Sequence, residues 1–290
     1  MKKILFDTDI GSDIDDALAL AYLLKEPECE LLGITTVSGE PVERAMIASA
    51  ICHVAGRDDI PIYPGLEGPY LGQQRQPKAQ QAEKLSNWEH KKEFPMFGAI
   101  EFMRRTIREN PGEVTLLAVG PMTNVGTLFM LDPEIPSLLG SLVLMCGDFD
   151  KGTKRNEWNS KCDWVSTAGI YSKKVSLHRS FGLNVTTKVV ILREDVDAKL
   201  AGDIMAPVKD FAHTFFNGGA KQMTFHDPLA AVAIFHPEVC TYKRGNVMIC
   251  TDRPNEGYST FEENAEGIHE IAVTVDSDKF FDIYLGAVNK

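Results

Sequence analysis

The chain has no apolar run long enough to cross a bilayer and no C-x-x-C pair, and its basic residues are outnumbered by acidic ones. Each shortage excludes something. Met1-Lys2-Lys3 is followed at once by the strand-like ILFD, so neither a signal peptide nor a membrane span is expected, although a chain read without its leader would look the same. The six cysteines, Cys29, Cys52, Cys146, Cys162, Cys240 and Cys250, show no zinc-type Cys/His spacing. They fit scattered reduced thiols and a cytoplasmic location. With 30 Lys and Arg against 41 Asp and Glu, the net charge is −11. A general grip on nucleic-acid phosphates is therefore not expected, and a small neutral substrate suits the chain better. No internal repeat and no linker interrupts the 290 residues, 44% of them hydrophobic, so residues 1–290 read as one domain with a sizeable core.

What is present is an alternation of strand-like and helix-like segments. Residues 3–8 read as a buried strand, and ALALAYLLK (17–25) as a helix ended by Pro27. ELLGITTV (30–37) is the next strand, PVERAMIASAICHVAG (41–56) a helix stopped by Gly56, IPIY (60–63) a short strand and GEVTLLAVG (112–120) a strong one. LVLMCG (142–147) and VSLHRSFGLNVT (175–186) continue the strand series, with helical segments at 97–109, 123–131 and 164–172. The order implies an α/β fold with a mainly parallel sheet covered by helices, in which ligands bind beyond the carboxyl ends of the strands. Residues 64–96, dense in Gly, Pro and Gln, read as a long mobile surface loop of the kind that covers a site.

At one such strand end stands DTDIGSDIDD (7–16), with five aspartates in ten residues. Like charges that close must be separately solvated, share a cation, or in part be protonated. A helix cap would account for one or two of them. An EF-hand needs Gly at loop position six and Glu at position twelve; counted from Asp7 these are Ser12 and Leu18, so that motif fails. A haloacid-dehalogenase-type magnesium phosphotransferase also opens with a strand ending in Asp-x-Asp, which Asp7-Thr8-Asp9 fits. Gly11 stands where its Thr or Val belongs, and GDFDKG (147–152) is a poor match to its later acidic motif.

The chain more closely resembles the nucleoside hydrolase family, of the inosine-uridine preferring type, whose members open with a pattern like D-x-D-P-G-x-D-D-A. Here it is DTDIGSDIDDA, with Ile10 for Pro and two extra residues before Asp15-Asp16. ELLGITTVSG (30–39), LLAVGPMTN (116–124), LVLMCG (142–147), NEWN (156–159), GLNVT (182–186) and HDPLAAV (226–232) resemble the family's other segments in the same order. The resemblance implies a Rossmann-like core and calcium-dependent hydrolysis of the N-glycosidic bond of ribonucleosides to ribose and free base. Carried over by position, Asp9, Asp16, Asp227 and the carbonyl of Val119 would hold Ca2+, and Asp15 would be the general base. Glu157, Asn159 and Asn184 would contact the ribose, and His226 would protonate or orient the leaving base. Asp7 would brace the site, and Asp13, in the insertion, would be solvated. The resemblance also implies a homodimer or homotetramer.

Three departures bear on substrate choice. Glu40 replaces the family's strand-end Asn, Cys146 stands where Gly is common, and residues 64–96 lack the His-Gly pair that many members carry in the loop facing the base. Tyr70, Trp88, His90 and Phe94 are candidates to contact a base instead. A ribose- or nucleoside-binding protein without turnover stands as an alternative beside the phosphotransferase.

Overall fold

The computed structural model describes residues 1–150, 152–153 and 155–290. Among the described residues eleven strands are formed: β1 (Lys2–Thr8), β2 (Cys29–Thr36), β3 (Ile62–Pro64), β4 (Val114–Ala118), β5 (Ser141–Met145), β6 (His178–Phe181), β7 (Val190–Leu192), β8 (Gln222–Thr224), β9 (Cys240–Ile249), β10 (Ser259–Glu263) and β11 (His269–Val275). Nine of them make one sheet in the order β10-β9-β11-β6-β5-β4-β1-β2-β3, and β7 and β8 form a separate antiparallel pair. From β3 to β11 every pairing in the large sheet is parallel; β9 and β10 extend it antiparallel. Parallel strands are covered on both faces and so read as continuous apolar runs. VTLLA of β4 and SLVLM of β5 are buried at every position.

The strand order reverses between β1 and β4, since β1 leads outward to β2 and β3 before the chain returns to β4. Two crossovers that depart in opposite directions leave a crevice at the carboxyl ends of this pair. Register places Asp7 of β1 opposite Ala118 of β4, so the residues that follow, Asp9 and Val119, emerge side by side at the crevice. Four helices frame this half: α1 (Asp15–Lys25), α2 (Pro41–Val54), α3 (Ala99–Glu109) and α4 (Thr123–Leu131). α1 is buried from Asp15 to Leu23 because its Ala- and Leu-rich faces pack against helices Met205–Asn217, His226–Phe235 and Ser277–Val288 as well as the sheet.

The expected alternation is present, with one difference in type. Of 175–186 only His178–Phe181 is strand, and Leu183–Thr186 is a short helix. The chain leaves the sheet at Gly182, where a Cβ would lie 2.8 Å from the carbonyl oxygen of Gly147, and the amide of Leu183 then donates to that oxygen at 2.9 Å. The antiparallel extension carries no signal of comparable strength in the sequence, since burial along β9 is irregular. All six cysteines are free. No helix among the described residues is long and apolar enough to cross a membrane.

Away from the crevice, His178 and His269 lie buried with ring centroids 4.7 Å apart, and Tyr171 stacks on His178 at 4.9 Å. Burial drives the His178 imidazole well below its ordinary value, helped by the neighbouring His269, and burial takes His269 down to about 4. Both are therefore neutral in the fold, while the unfolded chain binds their protons below its ordinary pKa near 6.5. Stability should be unaffected by them above that pH and should fall as pH drops from about 6.5 toward 4, by at most ~1.4 kcal/mol per pH unit for each ring. Urea titrations at pH 7 and pH 5 should show His178→Phe losing less stability on acidification than the unaltered chain; equal losses would show that this pair does not titrate on unfolding.

Candidate active site

At the crevice lies a cavity of about 570 Å³ lined by Asp9, Asp13, Asp15, Asp16, Val119, Glu157, Asn159, His226 and Asp227, among others. Its acidic floor is built from both ends of the chain. Asp9 follows β1, and Gly11, at φ +119°, turns the loop so that Asp15 and Asp16 open α1. Asp227 is the second residue of helix His226–Phe235, which packs beside α1, and its amide donates to Asp15 Oδ2 at 3.3 Å. One carboxylate oxygen from each of Asp15, Asp16 and Asp227 lies within 4.8 Å of the others. The Thr8 hydroxyl donates to Asp16 Oδ1, and Gln76 Nε2 donates to Asp9 Oδ2 at 2.8 Å.

Burial, followed by mutual repulsion, pushes the carboxyls of Asp15, Asp16 and Asp227 well above the usual carboxylate range. Asp9 is also raised by burial, against the opposing pull of Arg44 and Gln76. Arg44 is fully buried behind the floor, but its guanidinium donates to the carbonyls of Asp9, Ile10, Gly39, Gln76 and Lys78 and to Ser12 Oγ. It braces the acidic loop without forming an ion pair with it. Among the described residues no Lys, Arg or His nitrogen lies within 4.0 Å of a carboxylate oxygen of Asp9, Asp15, Asp16 or Asp227. Three buried carboxylates converge, and Asp9 and Val119 line the same cavity; an all-oxygen donor set of this kind fits a hard divalent cation of calcium type.

The remaining expected residues divide into two groups. Glu157 lines the cavity, but its carboxylate caps helix Trp158–Cys162, accepting from the amides of Gly147, Asn159 and Ser160 at 3.1, 2.7 and 2.9 Å. Asn159 Nδ2 donates to the carbonyls of Val119 and Met145, so it fixes the oxygen expected to face the cation. His226 lines the cavity with Nδ1 2.7 Å from Thr186 Oγ1, and burial, with Arg155 nearby, lowers it to about 4. Asn184 is not among the lining residues: its Nδ2 donates to the Ala272 carbonyl at 2.8 Å, and its neighbour Leu183 faces the cavity instead.

Asp7 points elsewhere, accepting from Asn124 Nδ2 and the Thr35 hydroxyl at 2.7 and 2.5 Å, with its carboxyl raised to about 7 by burial. The phosphotransferase alternative needs Asp7 in the cavity and loses its first carboxylate. Asp13, expected to be merely solvated, lines the cavity at its edge.

The aromatic candidates in 64–96 are ordinary packing. Trp88 Nε1 donates to Asp210 at 2.9 Å, Tyr70 reaches Met130, Phe94 packs on the core and His90 turns back to the Trp88 carbonyl. The aromatic walls are Trp158 and Phe215, and the 64–96 segment supplies Arg75, Gln76, Pro77 and Gln80. Sequence reasoning missed Gln76 and Arg44. The available signal for Arg44 was a positive charge in the first turn of α2, the end of a helix that disfavours a cation.

This segment is seated tightly. A Cβ on Gly39 would fall 2.5–2.6 Å from the backbone of Pro77, so only glycine permits the approach. Ser38 and Glu40 on either side hold left-handed backbone, at φ 80° and 58°. Glu40, at the position of the family's Asn, accepts from the Ala79 amide at 2.9 Å and pairs with Lys78 instead of facing the cavity.

A carboxylate-floored cavity at the switch point of a parallel sheet is where an open α/β fold binds a small ligand. A family model described as inosine-uridine preferring nucleoside hydrolase matches residues 4–282, and the chain belongs to that family. It is 28% identical to "Probable uridine nucleosidase 2" of Arabidopsis thaliana, over 95% of this chain and 94% of that one. Identity to "Pyrimidine-specific ribonucleoside hydrolase RihA" of Citrobacter koseri is 29%, over 82% and 80%. The solved structure of a plant nucleoside hydrolase, PpNRh1, superposes with a TM-score of 0.86 at 25% identity, covering 99% of each chain. The protein is an N-ribohydrolase, an enzyme that hydrolyses ribonucleosides to ribose and free base.

Proposed function

We propose that hydrolysis depends on one calcium ion held by Asp9, Asp16, Asp227 and the Val119 carbonyl, and that Asp15 is the general base. What supports a cation is the convergence of Asp15, Asp16 and Asp227 within 4.8 Å in a buried site with no ion-paired cation among the described residues, while the division of roles between Asp9 and Asp15 follows the family resemblance. A bound calcium would supply a Lewis-acid centre that binds the ribose diol and acidifies the attacking water.

The chain's own groups do the rest. Asp15 accepts the proton of the water that attacks the anomeric carbon, and the surrounding carboxylates stabilise the positive charge that develops on the sugar. Asn159 keeps the Val119 carbonyl aimed, Glu157 sets the N-terminus of helix Trp158–Cys162 against the ribose, and Asn184 supports that wall from behind Leu183. His226 stands at the leaving base. Because burial keeps its imidazole neutral, it acts as a hydrogen-bond donor to the departing nitrogen, with Thr186 fixing the ring. The chain's likeness to uridine nucleosidases supports uridine as a substrate. Assembly as a homodimer or homotetramer and a cytoplasmic location belong to the same reading; they rest on the family resemblance and on the free thiols.

One observation favours an exchange of two roles. Asp15, not Asp9, completes the closest trio, so Asp15 would be a ligand and Asp9 the base. Asp15→Asn separates the readings: it should retain calcium, measured by calorimetry on stripped protein, while slowing uridine turnover by roughly 10²–10⁴. Loss of calcium together with rate would assign Asp15 to the metal. Unchanged hydrolysis by exhaustively metal-free enzyme would overturn the cation altogether.

The leaving-group role is tested by substrate. Purines and pyrimidines depart poorly as anions, whereas p-nitrophenolate departs well without help. His226→Ala should therefore slow inosine and uridine by roughly tenfold or more beyond its effect on p-nitrophenyl riboside. Equal slowing of all three would place His226 in sugar binding.

A further inference from the structure

Gln76 lies buried in the segment between β3 and α3, and both ends of its amide are engaged. Nε2 donates to Asp9 Oδ2 at 2.8 Å, and Oε1 accepts from the indole Nε1 of Trp158 at 2.6 Å. A carboxylate only accepts and an indole N–H only donates, so one orientation of the amide satisfies both partners and its flip satisfies neither. The backbone on which this relay sits is also held. The Gln76 amide donates to Gln74 Oε1 at 2.7 Å, and its carbonyl accepts from Arg44 and Ser38, each at 3.4 Å.

Trp158 is an unusual wall. It is 46% exposed, and a second cavity of about 690 Å³ lies on its other side, lined also by Arg75, Trp164 and Arg253. Trp158, Arg75 and Gln76 all line the catalytic cavity. An indole between two cavities has room to swing, and the hydrogen bond to Gln76 is the polar contact that holds its N–H edge. The same amide stops rotation of the Asp9 carboxylate at the opposite side.

We propose that Gln76 is a positioning residue for the hydrolysis: it sets the rotation of the Asp9 carboxylate and pins the Trp158 wall through one amide, so that cation retention and nucleoside binding are coupled across it. The proposal rests on Asp9 belonging to the cation site. It commits the 64–96 segment to a part in the chemistry that the missing His-Gly pair does not supply.

The test is a double-mutant cycle of Gln76→Leu and Trp158→Phe in the full chain. Calcium affinity is read by calorimetry on stripped protein, and kcat and KM are read with uridine. Gln76→Leu should weaken calcium by about 10–100-fold, the usual effect of removing a partner that orients a ligand, and should raise KM as the wall loosens. Trp158→Phe keeps a ring and removes only the N–H; it should weaken calcium by about threefold although it touches no carboxylate of the floor. The double variant should match Gln76→Leu within about twofold. Calcium affinity unchanged in Trp158→Phe, or losses that simply multiply in the double variant, would overturn the coupling. If Gln76→Leu does not fold, as circular dichroism would show, Trp158→Phe alone decides. Should the unaltered chain take up no calcium, the calcium reading fails by itself. The cycle is then read in kcat/KM, where non-multiplicative losses support the relay and multiplicative ones overturn it.

Discussion

Repulsion among buried carboxylates is the constraint around which this half of the molecule is arranged. Asp9, Asp15, Asp16 and Asp227 are each no more than 5% exposed, which leaves little water to solvate each charge separately. Part of the compensation comes from the fold. Asp15 and Asp16 sit in the first turn of one helix and Asp227 in the first turn of another, so two positive helix ends face the same point. Each is worth on the order of 0.3–1 kcal/mol per charge, too little to balance several buried anions. Arg44 adds a full charge behind the floor but spends its donors on carbonyl and hydroxyl oxygens. The deficit left over is what a divalent cation would fill.

The same constraint explains the irregular backbone around the site. Holding the loop after β1 in place requires something rigid behind it, and that support comes from the 3-10 helix Gln80–Asn87, the turn before it and the start of α2. Gln81 Nε2 donates to the carbonyls of Ser12 and Asp13, Ser12 Oγ to that of Lys78, and Arg44 ties both stretches to Gly39. Ser38 and Glu40 adopt left-handed conformations that cost a non-glycine residue on the order of 1 kcal/mol each. Such backbone persists where surrounding contacts over-determine it, and here those contacts converge on the acidic loop.

The sheet, its parallel sense and the place of the site at the carboxyl end of β1 were legible in the sequence because strand-length apolar runs alternate with helix-like segments. The charge density of DTDIGSDIDD marked the place, and the resemblance of the later segments to the family added Asp227. What local pattern could not convey was how side chains are spent after folding. Glu157 and Asn159 line the cavity as expected of residues that meet a sugar, but each also has a partner in the fold that the sequence does not announce, the amides of a helix N-terminus and the Val119 carbonyl, and Asn184 is bonded to the Ala272 carbonyl. Gln76 was invisible because its partners lie 67 and 82 positions away, and one glutamine in a Gln-rich stretch carries no periodicity. β9 to β11 escaped notice because an antiparallel edge with mixed burial lacks the apolar runs that marked the central strands.

The floor joins residues 212 positions apart, Asp15 and Asp227. During synthesis the first three acids of the floor emerge early, yet the site stays incomplete until helix His226–Phe235 has docked beside α1. A nascent or truncated chain therefore exposes a patch of unmatched negative charge without the means to cleave a nucleoside. Contacts of such long sequence separation form late and slowly. Activity is thus a property of the finished fold alone, and this nucleoside-cleaving enzyme is switched on only when its own assembly is complete.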